Sequence, residues 1–316
     1  MIRYVIKRLL WFIPVLFITL TLIFFLLQIV PGDPLRAAFG DQKALSDAQL
    51  STLRAQLGLD RPAYVRYFKW LWDVVNLNLG ISFYSGDTVK QQLLARIPIT
   101  TGLVALSAIL MVLLSLPFGA ISGFYHDRWP DWLMRVFSTF SISIPHFWIA
   151  VIAIMLLLKF RGSSLSIEYF NIFTHPYDAA KQLILPAFIM TLRPIGIGTR
   201  MIRSALIEIL GEDYIRTARS KGLSEALVTR RHALPNALVP VVTFFGLETV
   251  ILIGAAVVIE RVFGLPGIGS LVVQAAQSRD LFVLQGSVLV LLVFAMFINL
   301  VVDLLYAALD PRVRYE

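Results

Sequence analysis

Residues 212–235 read EDYIRTARSKGLSEALVTRRHALP, and the way this stretch folds decides how the rest of the chain is read. Arg216, Arg219, Lys221, Arg230 and Arg231 crowd into a polar segment set between two long apolar ones. Gly222 interrupts it, and Ser224 has the side chain of a helix N-cap. The pattern predicts a helix, a tight turn at Lys221-Gly222, a short amphipathic helix over 224–231, and a stop at Pro235. Two readings fit. Held between membrane spans, such a unit is a rigid lever. Equally, it is an ordinary basic loop of the kind that marks one side of a membrane protein.

The surroundings are a membrane chain. Of 316 residues, 58% are hydrophobic and 15% charged, which is not the balance of an ordinary soluble protein. Apolar runs of roughly 20 residues recur, the length that crosses about 30 Å of hydrocarbon. They predict six spans, near 9–30, 100–123, 135–158, 183–201, 237–259 and 282–309. The first follows Arg3, Lys7 and Arg8; it is too long for a signal-peptide core, and no small-x-small cleavage site follows it. The fourth is interrupted by Pro186, Arg193, Pro194, Gly196 and Gly198. The net charge of +8 resides in cations that flank spans, so it reports topology and not a nucleic-acid partner. Arg3, Lys7, Arg8, Arg128, Arg135, the cations from Arg200 to Arg231, Arg312 and Arg314 fall on one side. That side is expected to be the cytoplasm, with both termini in it. Segment 31–98 is then external; its mixed charge does not upset the assignment, because long loops cross regardless of charge.

Within that external segment, 45–57 and 62–77 read as helices, the second with Val65, Phe68, Trp72 and Val75 at helical spacing. Its aromatic residues suit either an interfacial belt or a ligand platform. Segment 260–286 is external by the same topology but too apolar for a plain loop. Gly264, Pro266, Gly267 and Gly269 break it, a short helix at 270–277 follows, and the whole fits a segment dipping back into the membrane edge.

Polar groups at membrane depth need partners. Glu248 falls in the fifth span, Arg193 in the fourth and Asp303 in the sixth, with Gln28, His146 and Asn299 as milder cases. Glu248 and Arg193 either line a polar path or pair as interface glue; for Asp303 a structural pairing is the better fit. Much chemistry is excluded. Without cysteine there is no disulfide, thiolate site or thiol catalysis. The four histidines lack metal-ligand spacing, no G-x-x-x-x-G-K-[ST] loop cradles a nucleotide, and no nucleophile–base set stands out. No cofactor or metal is expected in this chain.

Gly222, then nine residues, then His232-Ala233-Leu234-Pro235, resembles the EAA loop of ABC-importer permeases, written E-A-A, three residues, Gly, nine residues, I-x-L-P. Arg216-Thr217-Ala218 stands where that pattern has Glu-Ala-Ala, and His232 where it has Ile. The form DYIRTARSKGL is similar to the peptide-permease branch. Further resemblances run along the chain: Pro31-Gly32-Asp33-Pro34 after the first span; Leu79-Gly80-Ile81-Ser82 leading to Arg96-Ile97-Pro98; and E-x-V-F-x-x-P-G-x-G from Glu260 to Gly269. Arg279-Asp280 follows, with Leu281-Phe282 where the family often has Tyr-Pro; Asn299 to Tyr306 and Asp310-Pro311-Arg312 close the series. The chain is thereby similar to the first permease subunit of the dipeptide, oligopeptide and nickel ABC importers.

The resemblance implies an all-α polytopic protein with six transmembrane helices and the type I ABC importer permease fold. The first span and its external helical insert would occupy 1–98, the permease domain 99–309 and a cytoplasmic tail 310–316. Loop 206–235 would couple to an ATPase through Ala218, Lys221, Gly222, Leu223, Ser224, Glu225, Leu227, Arg230, Arg231, Leu234 and Pro235. Leu223, Ala226 and Leu227 would form its apolar contact face, and the two arginines would suit the end of the helix dipole. Glu260, Phe263, Gly264, Pro266, Gly267 and Gly269 would lie at the outer mouth, with Arg193 and Glu248 on the pathway. Implied partners are a second, homologous permease, two cytoplasmic subunits that bind ATP and magnesium, an external substrate-binding protein and the bilayer of a bacterial inner membrane. Di- and oligopeptides are the implied cargo, with nickel complexes, glutathione and opines as alternatives. A channel or secondary transporter would instead call for matching broken helices in two halves. An intramembrane enzyme would call for paired catalytic groups within spans.

Overall fold

In the computed structural model, which describes residues 2–29, 49, 51, 52, 54, 55, 58–161 and 169–309, the described chain is α-helical apart from turns and one isolated bridge, Ile81 to Thr88. Five helices among the described residues are long and apolar enough to cross a membrane, and there are six if one bent pair is counted as a span. The chain divides into two compact units, 2–100 with 266–296, and 101–265 with the chain from 297 onward.

The first unit begins with α1 (Ile2–Ile29) and α2 (Ala63–Val75). Phe24 of α1 stacks against Tyr67 and Trp70 of α2 at 5.3 and 5.5 Å between ring centroids, and the Tyr67 hydroxyl meets Thr21 Oγ1 at 2.6 Å. The residues at helical spacing mark the more open side of α2. Tyr67 is buried, while Phe68, Trp72 and Val75 are exposed. A tyrosine packs its ring and satisfies its hydroxyl in one place, which spacing alone does not weigh. The helix expected at 45–57 lies mostly outside the described residues. Elsewhere in this unit, the first turns of α3 (Val89–Phe124) pack with α10 (Ile268–Ser278) and the start of α11 (Leu281–Leu309) around Val89, Leu93, Ile268, Leu271, Ala275 and Val283.

In the second unit the third predicted span, 135–158, is not one helix. It is α4 (Trp129–Ser143) and α5 (His146–Arg161), bent by 93°. Pro145 causes the break: Ile144 before it is extended, φ −93° and ψ 124°, as steric conflict with a following proline ring demands. The fourth predicted span departs in the opposite sense. Instead of being interrupted, it is the continuous α6 (Pro176–Gly211), whose 36 residues hold Pro186 and Pro194 inside. Buried helices tolerate internal proline when neighbouring elements and local hydroxyls supply hydrogen bonds. Pro186 and Pro194 withdraw the intrahelical donors of Gln182 O and Met190 O, four residues before each. Between these points Thr191 Oγ1 donates to Ala187 O at 3.0 Å, and Ser107 Oγ of α3 to the same carbonyl at 3.4 Å, which ties the helix to its neighbour. At an axial rise of 1.5 Å per residue, α6 is about 54 Å long and outreaches the hydrocarbon layer. Its far end leads into α7 (Asp213–Ser220), α8 (Glu225–Val228) and α9 (Leu234–Phe263).

Candidate functional site

The 212–236 hairpin has a core of its own. Ile215, Ala218, Val228 and Ala233 are buried against one another, with Ile209 and Leu210 from the end of α6 and Leu223 packed on them. Leu223 thus faces inward and leaves the predicted outward apolar face; Ala226 and Leu227, the latter 41% exposed, remain on it. Lys221 is the C-cap of α7, and Gly222 takes φ +79°, a left-handed conformation that glycine adopts without strain. Arg219 forks onto Glu225 at 2.8 and 3.3 Å across that turn. Ser224 occupies the N-cap position of α8 but makes no side-chain cap bond.

Two expectations for this stretch are corrected. The short helix ends at Val228, and Thr229–Ala233 is a π turn. Pro235 does not stop a helix; the helical path runs through it from the π turn into α9. Arg230 and Arg231 are consequently inside a continuous helical path and not at a helix end, so no terminal dipole acts on them. Both are exposed, as is Pro235, while Leu234 packs against the cluster of Ile202, Leu206, Ala237 and Val241. Asn236 closes the hairpin by donating to Tyr214 Oη at 3.2 Å and His232 O at 2.8 Å.

A ladder of close contacts runs from α6 along α4. Arg203 forks onto the Asp131 carboxylate, Nε to Oδ1 at 2.7 Å and Nη2 to Oδ2 at 2.9 Å. Arg200 Nη2 donates to Thr139 Oγ1 at 2.7 Å. A β-carbon added at Gly196 would fall 2.2 Å from Ser141 Oγ and 2.9 Å from Ser138 O, so the two helices touch there without room for any side chain. Residues 196, 200 and 203 share one face of α6. Asp131 is fully buried, and it also accepts from Ser122 Oγ at 2.6 Å and from Asp127 N at 3.0 Å. Asp131 falls between the second and third predicted spans, and the one local signal for it is an acid in a first helical turn close to Arg128 and Arg135.

The polar groups expected on a path behave unequally. Arg193, one turn before Gly196, is exposed and acts electrostatically on both Glu248 of α9 and His146 at the start of α5. Glu248 is 7% exposed, and neither its Oε2 nor His146 Nε2 has a hydrogen-bond partner. Arg193 thus lies within electrostatic range of both Glu248 and His146.

Of the residues assigned to the mouth, Glu260 is not in a loop. It lies within α9 and is fully buried. The helix ends at Phe263 because Gly264 adopts φ +67° and Leu265 N reaches back to Glu260 O at 2.8 Å. Tyr169 donates its hydroxyl to Gly264 O at 2.7 Å, and burial pushes the phenol's pKa up, so it stays a donor. Gly267 is extended, φ −95° and ψ −178°, a conformation any residue adopts, and it caps α10; the backbone demand for glycine falls at Gly264 instead. Pro266, Gly267 and Gly269 belong to the other unit.

Two family profiles together match nearly the whole chain. Residues 115–315 match the binding-protein-dependent transport system inner membrane component, and residues 1–104 match the N-terminal membrane component of the same systems. A putative peptide transport system permease protein of Brucella abortus (strain 2308) is 40% identical over 312 residues, covering 99% of both chains. A homologous protein of Brucella melitensis is also 40% identical, over 99% of this chain and 98% of its own. The glutathione transport system permease protein GsiC of Escherichia coli (strain K12) is 37% identical over 317 residues, covering 100% of both.

Proposed function

This chain belongs to the family of binding-protein-dependent transport system inner membrane components, and from that premise we propose that it is the permease half of an ATP-driven importer of di- or oligopeptides or related small solutes. The 212–236 hairpin carries the reading. It is a folded knob with its own core, it projects cations and Leu227 outward, and it is continuous with two membrane helices. A cytoplasmic ATPase subunit would seat on that exposed surface; Ala218 and Leu223 would hold the knob's shape from inside.

The partners that follow are a second, homologous permease completing the pathway, two ATP-binding subunits that also hold the magnesium, and an external substrate-binding protein. This chain would need no cofactor of its own. Glutathione, nickel complexes and opines remain alternative cargoes, since peptide and glutathione systems supply relatives of similar identity. Co-purification of soluble ATPase subunits with the tagged chain tests the assembly, and recovery of a self-sufficient transporter without them overturns it.

Topology is directly measurable because the chain has no native cysteine. With both termini in the cytoplasm, Lys221→Cys should react with a membrane-impermeant maleimide only from the cytoplasmic side, and Lys90→Cys only from outside. Labelling of both from one side overturns the orientation.

The mouth is tested at Gly264. A branched residue there must hold φ +67°, at a cost of about 1–3 kcal/mol. Gly264→Val should reduce uptake several-fold more than it reduces the amount of inserted protein, whereas Gly267→Ala should be milder. Equal uptake by the two variants would show that the helix end at Gly264 plays no part in gating.

A further inference from the structure

We propose that Asp131 and Arg203 are a positioning pair that passes displacement of the 212–236 hairpin into the α4–α5 elbow, so that ATP hydrolysis in a partner subunit becomes productive movement of the membrane helices. The inference rests on the reading that the hairpin docks an ATPase, and extends it to residues that touch neither ATPase nor cargo.

The Asp131 carboxylate is saturated. Its two oxygens receive the Arg203 fork, the Ser122 hydroxyl and the Asp127 amide, and Arg135 Nε stands 3.6 Å away. A carboxylate offers about four lone-pair sites, and all are engaged. A bidentate guanidinium contact fixes direction as well as distance, which a point charge does not. Ser122 belongs to α3, Asp131 to α4 and Arg203 to α6, so one fully buried group locks three helices together.

Placement gives the lock its role. Arg203 lies under two turns from Ile209 and Leu210, which are packed in the hairpin core. From the lock, the contacts of Arg200 with Thr139 and of Gly196 with Ser138 and Ser141 hold α4 flush on α6 up to the elbow at Pro145. Beyond the elbow comes His146, acted on by Arg193 as Glu248 is. A push on the hairpin therefore reaches the bent pair through packed contacts, from Ile209 and Leu210 along α6 and across to α4. A merely static staple does not call for this chemistry, because well-packed apolar residues serve that purpose as well or better. A saturated fork instead preserves one relative orientation of the helices while they move as a body.

The test uses the assembled importer, with its partner permease, ATPase subunits and loaded binding protein, in proteoliposomes. The quantity read is ATP hydrolysed per solute imported. Asp131→Asn keeps the shape and removes the charge that holds the fork. The complex should be recovered in normal yield and still hydrolyse ATP, while ATP per solute rises about tenfold, a factor equivalent to one charge-assisted contact. Arg203→Lys, which keeps the charge but loses the fork, should show a smaller rise, and Ser122→Ala a smaller one still. If Asp131→Asn fails to assemble, the other two variants decide. A normal ratio in the assembled variants, with yield and uptake falling together, makes the pair a simple staple and overturns the proposal. Wild-type uptake by Asp131→Asn overturns it too. Failure of the underlying reading looks different, because then no ATPase subunit is retained even by the wild-type chain.

Discussion

Gly196→Val is expected to deplete folded protein from the membrane, not merely to slow its work. The first added carbon would sit 2.2 Å from Ser141 Oγ, 2.9 Å from Ser138 O and 3.1 Å from Ile142 Cγ1. The serine hydroxyl can rotate aside, but the Ser138 carbonyl belongs to α4 and cannot. Accommodation requires α4 and α6 to part, which strains the Asp131 fork two turns away and the Arg200 contact between them. Overpacking of this kind costs about 1–3 kcal/mol before those losses are added. Native stability of about 5–15 kcal/mol leaves little margin for it. Membrane helices that associate through small residues are especially exposed to such a change. The measurement is the yield of monodisperse, detergent-solubilised protein and its thermal midpoint. Ser141→Ala in the same background should rescue only partly, because the carbonyl remains. Gly254→Ala is the control, since nothing lies within 4 Å of a β-carbon there. Normal yield and midpoint for Gly196→Val would mean that α4 and α6 are not held at this spacing.

Gly222→Val should do the reverse, leaving the protein inserted in normal amount while abolishing transport. Nothing lies within 4 Å of a β-carbon at Gly222, so no clash is created. The effect is conformational. At φ +79° a β-branched residue is a strained outlier, costing about 1–3 kcal/mol. Ile215 and Ala218 of α7 and Val228 of α8 share one core, so the turn can relieve that strain only by shifting α8 on α7 and deforming the hairpin as a whole. The exposed Arg219–Glu225 pair, worth about 0.2–1 kcal/mol, is too weak to resist. ATPase subunits should then be lost on purification, and substrate-stimulated ATP hydrolysis should vanish from the reconstituted complex. Gly222→Asn should retain part of both, since asparagine tolerates left-handed backbone better. Full stimulation with normal uptake by Gly222→Val would reduce the hairpin to a basic linker.

Apolar length was the most legible property of the sequence, and it located the five long apolar helices and the bent pair α4–α5. What length conceals is direction: the run 135–158 keeps an apolar average although Ser141, Ser143 and His146 lie in its middle, so a window that averages hydropathy passes over the turn that Pro145 imposes. Pro186 and Pro194 misled in the opposite sense, because whether a proline breaks a helix depends on neighbours the sequence does not order in space. The hairpin's turn at Gly222 was readable from local chemistry, whereas the inward aim of Leu223 depends on Ile215 and Val228 meeting across it. Asp131 and Arg203 are 72 positions apart, and no local pattern joins them. Glu248 and Arg193 stood out because charge at membrane depth is rare on physical grounds.

The π turn at Thr229–Ala233 joins the hairpin to α9 with no non-helical residue between them. From Glu225 to Phe263 the backbone is one helical rod, and a rod has an angular phase as well as a length. Each residue advances an α-helix by about 100°. The wider π turn is therefore a phase setting: it fixes which side chains of α9 face α6 when Leu227 faces outward. Loss of a single residue from 229–233 would shorten the rod trivially, yet it would swing Glu248 about a quarter turn away from Arg193. The chain length between Gly222 and the membrane is thus dictated by angle and not by reach.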